Sequence, residues 1–254
     1  MPTPALSVAV NPVSAPSSGN AFDGFAVDGT GDVFIGYGNE VNAYKAPISA
    51  GEVPATAANS FAFQGYGNAL TVDSSSKVYA TGSNAINTFT YNGSAPASLI
   101  PGTALAGTAI VQPETLFSDG SSLYDLDYTN QNQVVVNTFP AGSTGTTSAS
   151  FSYPLSTQAS AAARDAANGY TYILSYDGIQ VVEVYAPTTA TSGALIPTAQ
   201  IVIGPYAQST LAVDSSYLYV VSYNSGTITA YPRFDPAHPY GIYRKPLAST
   251  QNRR

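Results

Sequence analysis

Residues Leu211–Pro232 read LAVDSSYLYVVSYNSGTITAYP. Three short strands are written there: LAVD is an apolar run ending in Asp214, YLYVVSY is β-branched and aromatic, and TITAY follows a turn at Asn224-Ser225-Gly226. The same pattern stands four times upstream. Its first landmark recurs as Val27-Asp28, Val72-Asp73, Ser118-Asp119, Arg164-Asp165 and Val213-Asp214, at steps of 45, 46, 46 and 49 residues. A few residues further on, an aromatic opens each second strand: Phe34, Tyr79, Tyr124, Tyr172 and Tyr219. Each third strand carries a β-branched residue three before an aromatic, as Val41/Tyr44, Ile86/Phe89, Val136/Phe139, Val182/Tyr185 and Ile228/Tyr231.

Residues three apart on a strand face opposite sides. Valine and tyrosine at that offset mean that both faces of the third strand are covered, as in a blade packed between two others. A fourth strand follows a Pro-rich connector in most copies: Ala57–Gln64, Leu99–Leu105, Ser148–Tyr153 and Ala199–Ile203. The fifth copy has none directly after Tyr231, whereas Ala5–Val10 (ALSVAV) stands unused ahead of the first copy. The expectation is all-β: a single five-bladed β-propeller of four-stranded blades, closed by the N-terminal strand. The propeller spans 1–232, with blades near 24–64, 69–105, 115–153, 161–203 and 210–231 plus 5–10. Residues 233–254 lack periodicity and are expected as a C-terminal extended arm. The Ala-rich stretch Thr157–Ala167 imitates a helix, but its register makes it loop and first strand.

Composition narrows the class of function. Charged residues make up 9% of the chain, against about 25% in average soluble domains. Such a surface must rest on Ser, Thr, Asn, Gln and Tyr, which suits an extracellular or cell-surface protein. There is no cysteine, which excludes disulfides, thiolate metal sites and a thiol nucleophile. No apolar run reaches the roughly 20 residues of a membrane helix, so no membrane span is expected. The N-terminus MPTPALSVAV lacks the basic and long apolar regions of a signal peptide. Residues 1–230 hold three cations against fourteen carboxylates, giving −11, while residues 231–254 hold five against one, giving +4. An acidic body argues against nucleic acid as partner. The basic tail points to a protein partner or to self-association with a neighbouring acidic body.

The pattern "apolar-apolar-x-D…G…[VL]Y…[VI]xx[YF]xP" resembles the NHL, YncE-like and gluconolactonase-type β-propeller repeats of bacterial secreted proteins, over roughly residues 5–232. Gluconolactonase-type enzymes hold one divalent metal with Glu, Asn and Asp at the channel mouth, and the resemblance implies a comparable place here.

In a propeller the first strand of each blade lines the central channel. The residue five before each landmark aspartate is Asp23, Asn68, Glu114, Ser160 or Ser209, polar in all five copies. Asp23, Asn68 and Glu114 are candidate oxygen ligands for a metal, a hard divalent cation such as calcium, with Ser160 and Ser209 completing the channel rim. A wet channel also favours polar lining with no ion in it. The five landmark aspartates recur too regularly for catalysis and are expected to cap turns through local N–H groups. His238 is the only histidine and lies outside the repeat, in PAHP, which removes a Ser-His-Asp triad and a lyase mechanism built on channel histidine. No catalytic residue and no resident cofactor are assigned. Nineteen tyrosines invite a glycan-binding lectin reading, with Tyr37, Tyr66, Tyr128, Tyr176, Tyr206 and Tyr223 outside the packing positions. Asn92-Gly93-Ser94 is an N-glycosylation sequon in an expected turn. The expected function is a non-enzymatic extracellular or cell-surface binding or assembly module, with a metal-dependent lactonase-like hydrolase and a lectin as alternatives.

Overall fold

The computed structural model describes residues 22–37, 40–47, 54–58, 69–94, 97–128, 134–149, 151–154, 158–176, 180–187, 197–204, 209–222, 227–237 and 248–251. They form five four-stranded antiparallel sheets and, among the described residues, no helix. The first is β1 (Phe22–Val27), β2 (Val33–Tyr37), β3 (Glu40–Tyr44) and β4 (Ala55–Ala58). The second is β5 (Leu70–Val72), β6 (Lys77–Thr81), β7 (Ile86–Asn92) and β8 (Ser98–Pro101). The third is β9 (Pro113–Ser118), β10 (Ser122–Tyr128), β11 (Val134–Pro140) and β12 (Phe151–Pro154). The fourth is β13 (Gln158–Arg164), β14 (Thr171–Tyr176), β15 (Gln180–Tyr185) and β16 (Ala199–Gly204). The fifth is β17 (Ser209–Val213), β18 (Tyr217–Ser222), β19 (Thr227–Pro232) and β20 (Ala248–Gln251). Within each sheet the strands pair in chain order, so every blade is an up-and-down meander built from one copy of the repeat. Thr157–Ala167 holds β13, as its register requires.

The landmarks are where the blades pack. Phe34, Val41 and Ala43 of the first blade bury Leu70, Val78 and Phe89 of the second. Tyr79 and Ile86 of the second join Leu116, Leu123 and Phe139 of the third. Phe117 and Val136 of the third join Ala162, Ile173 and Tyr185 of the fourth. Tyr172, Val182 and Val184 of the fourth join Leu211, Leu218 and Tyr231 of the fifth. Full burial of one such side chain stabilises by about 1.5–3 kcal/mol, so four boundaries of this kind hold the succession of blades together. Gly24 shows how close the inner strands come: a Cβ there would lie 2.8 Å from the Leu70 Cβ.

Two positions depart from the repeat. Phe25 aligns with Leu70, Leu116, Ala162 and Leu211, three residues before each aspartate, and those four are buried. Phe25 is 48% exposed. Ile228 aligns with Val41, Ile86, Val136 and Val182, all buried, and is 49% exposed. Phe25 lies on the first blade and Ile228 on the fifth, so the two end blades keep apolar faces that every internal boundary covers.

The outer strand of the fifth blade corrects the sequence expectation. Ala248–Gln251 pairs antiparallel with Thr227–Pro232, Thr227 opposite Gln251 and Ala230 opposite Ala248. The edge assigned to Ala5–Val10 is therefore filled from the C-terminal end, and Ala5–Val10 itself lies outside the described residues. The stretch after 232 is also tied down near its start. Phe234 is buried in the core between the fourth and fifth blades, and Arg233 pairs with Asp165 at 3.0 Å. A strand as polar and short as ASTQ carries no signal of its own; a free ladder edge on its own blade is what recruits it.

Candidate functional site

The five landmark aspartates form one repeated device. Oδ1 of Asp28 accepts the amides of Thr30 and Asp32. Oδ1 of Asp73 accepts those of Ser75 and Lys77, Oδ1 of Asp119 those of Ser121 and Ser122, and Oδ1 of Asp214 those of Ser216 and Tyr217. Oδ1 of Asp165 accepts the Ala167 amide. This caps the turn between first and second strands, as expected. The second oxygen does something the sequence did not disclose. Oδ2 receives the landmark tyrosine of its own blade, from Tyr79 at 3.0 Å, Tyr124 at 2.8 Å and Tyr219 at 2.7 Å. It is also reached from the following blade, by Ser76 at Asp28, Gly142 N at Asp73 and Arg164 at Asp119, whereas Arg233 hydrogen-bonds Oδ1 of Asp165 at 3.3 Å and stands 3.0 Å from its Oδ2. Burial opposes ionisation of Asp28, Asp73 and Asp119, but these donors outweigh it and hold the three carboxyls below the usual carboxylate range. Burial together with the Asp119 hydrogen bond pushes the Tyr124 phenol up to about 12.

The channel-rim candidates share a backbone feature. In β1 the register shifts between Phe22 and Gly24, in β9 between Thr115 and Pro113, and in β13 between Ala159 and Ala161. Asp23, Glu114 and Ser160 are thus the extra residues of three β-bulges at one repeat position, a device that re-aims a side chain. The side chains of Asp23 and Ser209, and all of Asn68, lie outside the described residues. Ser160 is half-buried, and its carbonyl accepts the Thr115 hydroxyl at 3.3 Å. Glu114 is buried, with Oε1 accepting the Gln112 side-chain amide at 2.7 Å.

Glu114 does not stand alone. Asp125 and Asp127, on one face of β10, are both fully buried beside it. Asp127 accepts the amides of Val111 at 2.8 Å and Gln112 at 3.0 Å. Asn137 donates to Asp125 Oδ2 at 3.4 Å, and Asp125 Oδ1 finds no ordinary donor. Burial first, and then the neighbouring Asp127 charge, push the Asp125 carboxyl well above the usual range. Burial raises Asp127 as well, against the pull of its two amides. Both carboxyls are therefore harder to ionise than an exposed carboxylate, Asp125 more so than Asp127. Among the described residues, no group of three His, Cys, Asp or Glu side chains is arranged to hold a metal ion.

Sequence reasoning missed this pair, and a signal for it existed. Asp125 falls in register with Ile35, Ala80, Ile173 and Val220, where every other blade is aliphatic. A second overlooked signal lies one residue after each β-branched third-strand landmark: Asn42, Asn87, Asn137, Glu183 and Thr229, polar in all five copies. Asn42, Asn87, Asn137 and Glu183 are buried. Glu183 gathers the hydroxyls of Ser175 at 2.9 Å and Tyr185 at 2.6 Å, and Asn42 accepts the Thr56 hydroxyl at 2.6 Å. In the first, third and fourth blades these groups stitch neighbouring strands of their own blade.

The boundary between first and second blades holds an open, polar pocket of about 450 Å³, lined among others by Asp28, Asp32, Lys45, Ser76, Asn92 and Ser94. Lys45 Nζ donates to the Gly93 carbonyl, and Asp32 Oδ1 accepts the Ala46 amide at 2.6 Å. Asn92 caps its own turn, Oδ1 accepting the Ser94 amide at 2.9 Å, so the sequon stands exposed on the pocket wall. Of the tyrosines singled out in the sequence, Tyr128 is half-buried against the core between the third and fourth blades. The others lie outside the described side chains.

Five meandering four-stranded blades define a β-propeller. Among solved structures, the chain is similar to one in a nidogen/laminin complex, at 14% identity and TM-score 0.63 over 91% of this chain and 80% of that one. It is also similar to the PQQ-bound aldose sugar dehydrogenase of Streptomyces coelicolor (12% identity, TM-score 0.52, 92% and 83% covered). A third likeness is to the WD40 domain of Toxoplasma gondii coronin (9% identity, TM-score 0.57, 90% and 58% covered). At these identities the likeness is one of fold. No protein-family model matches the chain, and no curated protein matches it.

Proposed function

We propose that this propeller is a non-enzymatic binding or assembly module, acting outside the cell or at its surface and built on the NHL-type, YncE-like repeat. The observation that carries the reading is the open polar pocket between first and second blades, which holds Asp28 and Asp32 beside Lys45, whereas at the third-to-fourth and fourth-to-fifth boundaries an arginine of the chain reaches the landmark aspartate. A propeller of similar fold occurs in a nidogen/laminin complex, which supports a protein partner. Self-association through the basic C-terminal residues remains part of the proposal. Arg233 is already used within the chain, so the cations available for it are Arg244, Lys245, Arg253 and Arg254.

Light scattering across a hundredfold range of protein concentration tests the assembly reading. A mass that grows above 26.2 kDa, shrinks in high salt and collapses when those four cations are replaced by glutamine supports it. A mass of 26.2 kDa at every concentration contradicts it.

A second reading, a metal-dependent lactonase-like hydrolase using Asp23, Asn68 and Glu114, is favoured by the three bulges that offset Asp23, Glu114 and Ser160 from their ladders. Glu114→Gln would then abolish both calcium binding and turnover of a lactone.

A further inference from the structure

Three boundaries show how this fold completes its aspartate device. Asp119 receives the Arg164 guanidinium, Nε to Oδ2 2.8 Å. Asp165 receives the Arg233 guanidinium at 3.0 Å. Asp73 receives the Gly142 amide at 3.1 Å, brought over by the turn after β11. At the first boundary Asp28 receives only the short Ser76 side chain, at 3.2 Å. The residue in register with Arg164 is Val72, which has no donor to offer. The space left is the pocket already described.

A second carboxylate stands in the same recess. Asp32 lines the pocket and is 7% exposed. Its Oδ1 takes the Ala46 amide, while its Oδ2 makes no hydrogen bond among the described residues. A carboxylate oxygen that lines an open recess and has no donor from the chain is within reach of any cationic donor that enters. Lys45 lies on the wall, but its ammonium is directed at the Gly93 carbonyl.

We propose that the recess between the first and second blades binds a guanidinium: an arginine side chain presented by a partner polypeptide, with Asp28 and Asp32 as its acceptors. The inference rests on the binding-module reading and names the chemistry of its ligand. The planar, five-donor group matches two carboxylates better than an ammonium does. The hydroxyl and amide groups of Ser76, Asn92 and Ser94 are placed for the ligand's backbone. Arg164 and Arg233, from different positions of their blades, each reach the landmark aspartate of the preceding blade, so the partner's arginine supplies to Asp28 what the fourth and fifth blades supply from within the chain. The arginine comes either from a second copy of this chain, whose tail ends in Arg253-Arg254, or from a different protein.

The experiment titrates the full chain with acetyl-Gly-Arg-Gly-amide and with its citrulline counterpart, which keeps shape and loses charge, followed by calorimetry at 0.15 M salt. The arginine peptide is expected to bind at least tenfold more tightly than the citrulline peptide, and Asp32→Asn to weaken it at least tenfold. Because Asp32→Asn touches a buried turn, Val72→Arg is the second variant. It supplies a tethered guanidinium at the register of Arg164, and is expected to raise the melting temperature and abolish peptide binding. Equal binding of the two peptides, or undiminished binding by Val72→Arg, overturns the proposal. Light scattering with added arginine peptide identifies the source. Dissolution of assemblies assigns the arginine to a second copy, and peptide binding at unchanged mass assigns it to another protein. Self-association that ignores a peptide the chain does not bind refutes the recess while the assembly reading stands.

Discussion

Arg164 of the fourth blade reaches back to Asp119 of the third, its Nε 2.8 Å from Oδ2, while its guanidinium carbon stands 4.6 Å from the centre of the Tyr124 ring. Tyr124 donates to the same Asp119 oxygen at 2.8 Å. One carboxylate thereby caps its own turn, fixes an aromatic of its own blade and holds the next blade. Both partners are largely but not fully buried, so solvent screens part of the attraction. Arg164→Ala is expected to cost about 1–2 kcal/mol, read as a fall of roughly 2–8 °C in the thermal midpoint. Arg164→Lys should recover only part of it, because an ammonium does not stack on Tyr124 as a planar guanidinium does.

The two classes of aspartate predict opposite responses to acid. Asp125 and Asp127 have folded-state pKa values raised above the unfolded value. Between the folded and unfolded values the folded state holds more protons, so this contribution grows as pH falls through the folded values towards the unfolded pKa of about 3.9. Asp28, Asp73 and Asp119 have lowered values. Their contribution is complete above the unfolded carboxylate pKa of about 3.9 and is lost as pH falls through the folded values. Chemical denaturation against pH should show a maximum on the acid side of neutrality. Asp125→Asn, which keeps a donor towards Asp127, should flatten the neutral limb and leave the acid limb in place. A wild-type curve that rises towards pH 8 would refute the raised carboxyls of Asp125 and Asp127.

Phe25 and Leu70 occupy the same repeat position and should respond differently to truncation. Leu70→Ala removes a buried side chain at a blade boundary and is expected to cost about 2–5 kcal/mol. Phe25→Ala, at a half-exposed position, should cost less than about 1 kcal/mol. Urea midpoints of the two variants measure the difference. Equal losses would mean that the first blade's outer face is packed like the internal ones.

Removing residues 248–254 deletes β20 and bares the edge of Thr227–Pro232. The shortened chain should melt lower and aggregate more readily than full-length protein, since an open ladder edge invites pairing. An unchanged melt would contradict the C-terminal origin of that strand.

Much of this architecture was legible because the repeat states it five times. Asp73, Tyr79, Ile86 and Phe89 hold one register with their counterparts, and one interpretation must satisfy them all. Strands of the second blade follow directly from them. The Asp119–Arg164 contact was not legible, because it joins residues 45 apart across a boundary that only the packed blades create. The strand at Ala248–Gln251 was hidden for a related reason: ASTQ has no apolar alternation, and only the free edge of β19 selects it. Ala5–Val10 had the better pattern, and pattern alone does not choose between two segments competing for one edge. Asp125 was readable in principle as a carboxylate in an aliphatic column, a signal visible only once the second strands are aligned.

The non-enzymatic reading is tested most directly by the thermal melt of purified protein in EDTA and then in millimolar calcium, magnesium or manganese. A divalent ion at 100 times its dissociation constant would stabilise the fold by about 2.7 kcal/mol, or roughly 5–11 °C in a domain of this size. The account predicts superimposable melts, with the channel rim at Glu114 serving as polar lining. A rise in that range, lost in Glu114→Gln, would contradict it and identify the channel mouth as a metal centre.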